Sequence, residues 1–141
     1  MNKNKYVLLK LKENITLSDT DELVIVGKYN TKFNNILGIN LPELEIYRSN
    51  GLKTHMIKRK HFKALKYINN ISEIINSPDY VGINPNEEGK SLELIKVYKD
   101  NVMIGIKYDE RKNYLYVSTM MDIHQSKIDR RLHSGRLKSF L

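Results

Sequence analysis

"SLELIKVYKDNVMIGIKYDERKNYLYVSTMM", residues 91–121, decides the fold. It contains three apolar, β-branched runs divided by "KDN" (99–101) and "DERKN" (109–113). Short polar dividers between such runs are hairpin turns, so the stretch predicts three strands in an antiparallel meander. "DIHQSKIDRRLHSGRLKSFL", residues 122–141, follows. Ile128 and Leu132 are four apart and predict a helix closing the chain. Asp122-x-x-Gln125 has the spacing of a capping box, and Gly135 suits the helix C-terminus.

Upstream, "SNGLKTHMIKRKHF" (49–62) predicts a helix capped by Ser49 or Asn50 and running to about Arg59. A second helical stretch has Phe62, Leu65, Ile68, Ile71 and Ile74 or Ile75 at helical spacing. Asn69-Asn70 interrupts it, Asn70-x-x-Glu73 fits a capping box, and Ser77-Pro78 ends it. "YVLLKLKENI" (6–15) and "DELVIVGKY" (21–29) read as strands about the turn cluster "SDTD", and "FNNILGI" (33–39) as a short helix closed by Gly38. The expected class is α+β: N-terminal strands and helices, then the antiparallel meander, then a C-terminal helix. One domain over 1–141 is expected, with 1–48 a β-rich extension and 49–141 carrying the helices, meander and terminal helix.

The chain has 141 residues, a formal net charge of +8 and a pI near 9.5. Such a surplus favours an anionic partner. There is no cysteine, which removes thiol nucleophiles, disulfides and thiolate metal sites. Lys10 and Lys12 interrupt the first apolar run, so no secretion signal is expected. Nor does any stretch approach the ~20 apolar residues of a membrane span. A cytoplasmic protein with no membrane partner is the expectation. No glycine-rich nucleotide loop, His-Glu-x-x-His motif or clustered carboxylate site occurs, so neither a cofactor nor a metal is expected.

Three groups of residues invite chemistry. Lys127, Arg130, Arg131 and Ser134 fall on one face of the last helix, where a phosphate would relieve the crowding of like charges. A solvated basic face is the plainer reading of the same spacing. His55 and Arg59 are also four apart, with His61 just beyond. Imidazoles can exchange protons near neutral pH, as the 2′-hydroxyl and the leaving 5′-oxygen of RNA require, while arginine holds the phosphate. Surface histidines at a helix end are the plainer alternative. Ser118 and Thr119 end a strand before a helix and can donate to a phosphate, although hydroxyl residues are ordinary there.

"EIYRSNGLKTHMIKRKH", "INSPDYVGINPNEEGKSLELIKVY", "VMIGIKYD", "YLYVSTMMDI" and "KIDRRLHSGRLK" together resemble the phage-type nuclease domains of the barnase–EndoU–colicin–RelE (BECR) group. The resemblance runs from about Tyr6 to Lys138. It implies a small metal-independent ribonuclease with helices first, a four-stranded antiparallel sheet next, and the active site on the sheet face. The implied catalytic residues are His55, Arg59, His61, Thr119 and Arg131. The implied substrate-binding residues are Ser118, Ser134, Arg136 and Tyr80, the last as a stacking ring or a core tyrosine; the basic face of the last helix adds Lys127 and Arg130 as expected substrate-binding residues. RNA, with tRNA a candidate, is the implied substrate, and an immunity or antitoxin protein a candidate partner. The alternatives are a non-catalytic nucleic-acid-binding or regulatory phage protein and a toxin-like interaction module.

Overall fold

The computed structural model describes residues 23–86 and 90–141. The strand predicted over 6–15 lies outside them. The order is β1 (Leu23–Lys28), α1 (Lys32–Leu37), β2 (Glu45–Ser49), α2 (Gly51–Lys58), α3 (Phe62–Leu65), a 3₁₀ turn (Ile68–Asn70), α4 (Ile71–Asn76), β3 (Tyr80–Ile83), β4 (Ser91–Val97), β5 (Asn101–Asp109), β6 (Tyr114–Asp122), α5 (Gln125–Ser134) and β7 (Leu137–Ser139). The α+β class and the β4–β5–β6 meander are as the sequence predicts.

The strands form one seven-stranded sheet in the order β1-β2-β6-β5-β4-β3-β7. Neighbours are antiparallel except β2 and β6, which run parallel. The two N-terminal strands therefore extend the same sheet as the meander. Their residues Val26 and Ile46 share the main core with Leu92 and Leu94.

Side chains alternate across a strand, so each strand feeds two faces. Leu92 and Leu94 of β4, and Val102, Ile104 and Ile106 of β5, face the main core. Leu52 and Met56 of α2, Ala64 of α3 and Ile71, Ile74 and Ile75 of α4 cover that face. Each fully buried Leu or Ile there contributes roughly 1.5–3 kcal/mol relative to exposure. The alternate residues Ile95 and Met103 face the other way. They pack with Ile123, Ile128 of α5 and Leu137 of β7. The sheet thus lies between α2–α4 and α5.

Some local predictions give way to tertiary contacts. α5 does end at Gly135, in the left-handed region at φ 86°. The rest of the chain is not helix: Leu137–Ser139 returns as β7 along β3. The Asp122–Gln125 box does not form, because His124 is the N-cap and makes no side-chain cap. Gln125 instead donates to Asp129 at 2.9 Å. Asn70 likewise caps α4 without a side-chain bond.

Gly82 carries a steric requirement. It pairs with Glu93 on one side and Leu137 on the other. A Cβ at Gly82 would lie 2.5 Å from the Arg136 carbonyl oxygen and 2.9 Å from Leu137 Cδ2. Backbone cannot swing aside as a side-chain tip can. Gly82→Ala should therefore push β7 off the sheet and cost about 2 kcal/mol, the usual scale of overpacking. Urea denaturation checks this; an unchanged midpoint would refute the close approach.

Candidate functional site

The sheet face not covered by α2–α4 is only partly covered by α5. The uncovered part forms a groove of about 230 Å³, lined by Asn84, Ser91, Glu93, Met103, Gly105, Lys107, Ser118 and Thr119. Its floor is one row across three strands: Glu93 pairs with Gly105, and Gly105 with Thr119. Gly105 has no side chain, which opens the middle of the row. A Cβ there would stand 2.8 Å from Thr119 Cγ2 and 3.2 Å from Ser118 Oγ.

The register also shifts at this point. Gly105 faces Thr119 but Ile106 faces Val117, leaving Ser118 as an extra residue. A bulge of this kind re-aims side chains, and here it brings two consecutive hydroxyl residues to the groove. Ser118 Oγ donates to the Gly105 carbonyl at 3.3 Å.

Glu93 is the chemical centre. It is 5% exposed and, with Ser91, one of two buried polar residues among the described ones. Arg136 grips it with two donors, Nε at 3.1 Å to Oε1 and an Nη at 2.9 Å to Oε2. Arg131 adds an Nη contact to Oε1 at 3.4 Å. Parallel bonds from one guanidinium fix both its position and its plane. Burial lowers the Arg131 pKa from its usual value, opposed by the Glu93 charge and reinforced by Arg136 and Arg130. One carboxylate set against two guanidiniums leaves surplus positive charge beside the hydroxyls. That balance suits a phosphate diester.

The site residues expected from sequence divide between two places. Ser118, Thr119, Arg131 and Arg136 converge at the groove or its wall. Ser134 stands just behind them, donating to the Arg131 carbonyl at 3.1 Å. Lys127 and Arg130 are exposed on α5. Tyr80 packs against the small apolar cluster beneath α5.

His55 and Arg59 do not join them. Leu52 and Met56 bind α2 to the opposite sheet face, so the sheet separates His55 from Arg131. The structure therefore does not bring His55 and Arg59 to the groove lined by Thr119 and walled by Arg131. The histidines are also parted from each other. Lys60 adopts φ 60°, and the Lys60 and His61 amides bond back to the Ile57 and Met56 carbonyls. This is a Schellman ending, which stops the helix between the two imidazoles. His61 then lies 3.8 Å from Asp122 at the end of β6.

Glu93, Gly105 and Lys107 were not singled out from the sequence. An acid inside "SLELIKV" and a glycine inside "VMIGIKY" are the traces they leave. A strand-interior glycine often marks a bulge or a close approach, as Gly105 and Gly82 do.

Among the described residues, no three His, Asp or Glu side chains gather as metal ligands. No described helix is long and apolar enough to cross a membrane. Comparison with curated proteins and with solved structures gives no match. A family model described as phage-Barnase-EndoU-ColicinE5/D-RelE like nuclease3 matches residues 24–130. That span holds every strand of the meander, most of α5 and the groove's lining residues, and the BECR-like fold agrees with it. The chain belongs to this phage-type BECR nuclease family.

Proposed function

We propose that the protein is a metal-independent endoribonuclease whose scissile phosphate occupies the Glu93 groove. The observation that carries this reading is a buried carboxylate held by two arginines beside two strand hydroxyls, on the open face of a nuclease-family sheet. An entering phosphate competes with Glu93 for Arg131 and Arg136. As the guanidiniums turn to the nonbridging oxygens, carboxylate lone pairs become available. The 2′-oxygen attacks phosphorus and its proton passes to Glu93. The bond to the 5′-oxygen breaks, and Lys107 donates a proton to that oxygen. The products are a 2′,3′-cyclic phosphate and a 5′-hydroxyl. Arginines preset where negative charge grows, in a partly desolvated groove, supply the electrostatic part of catalysis. Ser118 and Thr119 orient the phosphate, and Lys127 and Arg130 hold flanking backbone. This activity belongs in the cytoplasm, with tRNA the first substrate to try. An acidic immunity or antitoxin protein would have the charge to cover the groove.

Incubation with total tRNA in EDTA, followed by end-group analysis, tests the reading. Cleavage should persist and leave cyclic phosphate ends. His55→Ala should cut within about twofold of the parent rate, as surface substitutions outside a site usually do. Salt-sensitive binding without any cleavage would instead make this a nucleic-acid-binding protein of the same family. A folded His55→Ala variant that no longer cuts would move the chemistry to α2.

A further inference from the structure

Lys107 borders a second concavity as well as the Glu93 groove. That concavity holds about 310 Å³ over the β5–β6 turn, and Tyr116, Arg111, Lys90, Asp109 and Glu110 also line it. Lys107 and Tyr116 are register partners on neighbouring strands, so they share one sheet face. Tyr116 is partly buried, with its ring 5.5 Å from that of Tyr114 and tilted by 37°. The phenol face is therefore braced from within the sheet.

The two concavities differ in charge. The groove sets one acid against Arg131, Arg136 and Lys107. The second places Asp109 and Glu110 among its cations, and Lys90 lies 2.7 Å from Glu110. A second phosphate would meet carboxylates there. A nucleobase would meet an aromatic ring and a mixed set of donors and acceptors, which is what bases need. Tyr116 and Thr119 are three residues apart on a bulged strand, roughly 7–10 Å at ~3.3 Å per residue. One nucleotide can bridge such a gap.

We propose that the second concavity is a nucleobase subsite, in which the base adjoining the scissile phosphate lies on Tyr116 while Lys107 bridges to the phosphate. The assignment rests on the ribonuclease reading for its orientation. It makes the substrate single-stranded at the cleavage point, because a paired base cannot reach the ring. An aromatic ring reads the flat face that every base has, so base identity matters less than stacking.

The test is calorimetric titration with a thymidine trinucleotide, which lacks the 2′-hydroxyl and cannot be cut this way, and separately with inorganic phosphate. Tyr116→Phe should bind the trinucleotide like the parent. Tyr116→Ala and Tyr116→Leu, the latter keeping apolar volume without a flat ring, should bind about tenfold more weakly, the scale of one lost stack. Phosphate affinity should be the same in all four proteins. On a ribo-oligonucleotide both weak variants should raise KM by a similar factor at nearly constant kcat. Undiminished trinucleotide binding by folded Tyr116→Leu would overturn the subsite, as would equal loss of phosphate binding. If the parent cuts no RNA while the titrations behave as expected, the base subsite stands and the ribonuclease reading falls.

Discussion

Glu93→Gln will lower RNA cleavage by about a hundredfold or more, the usual worth of a positioned proton acceptor. Glutamine keeps the shape of the side chain and one carbonyl oxygen. It cannot take the 2′-hydroxyl proton, and it offers Arg136 only one acceptor where the carboxylate accepts two bonds. The same change leaves two guanidiniums without a counter-charge. Breaking a buried pair from one side costs about 3 kcal/mol or more. For a chain of this length that lowers Tm by roughly 10 °C. Single-turnover assays well below the new Tm separate the two losses. Full activity in the folded variant would reduce Glu93 to a structural brace.

Arg136→Ala should be nearly as damaging to activity, by about a hundredfold, the scale of removing one preset donor from a developing anion. Arg136→Lys should recover little, because an ammonium cannot make the paired bonds that Nε and Nη make to the carboxylate. Gly82 is what lets the Arg136 backbone lie close enough to reach Glu93. Activity and strand docking are thus coupled at one residue. Rate measurements at saturating RNA check the prediction. A Lys variant as active as the parent would show that charge alone is enough.

Both predictions centre on a residue that the sequence hides. Glu93 lies between Leu92 and Leu94 in β4, on a strand where a charged side chain ordinarily points to solvent. It is buried because Arg131 and Arg136 arrive from 38 and 43 residues further along the chain. No local pattern foretells that meeting. The meander was legible because its turns and alternating residues are neighbours in sequence. α5 was legible from its apolar spacing and Gly135. β2 and β7 were not. Each is short, and each pairs with a strand far off in the chain: β2 lies between β1 and the distant β6, and β7 lies along β3.

The histidine-rich block shows the converse, a local pattern whose place in the fold is set by other residues. The spacing of His55, Arg59 and His61 looked like chemistry, yet Leu52 and Met56 decide which sheet face α2 covers. The four groove and wall residues that were anticipated, Ser118, Thr119, Arg131 and Arg136, came from the C-terminal third. There strand, bulge and helix follow one another closely.

The most direct measurement is an amide NMR titration of the isotopically labelled protein with a ribonucleoside 3′-phosphate, a product-like ligand. If the uncovered sheet face binds the reacting phosphate, the resonances of Gly105, Ser118, Thr119 and Arg136 will move while that of His55 stays still. Shifts gathered instead on residues 55–61, with the β5–β6 amides unmoved, would contradict the account.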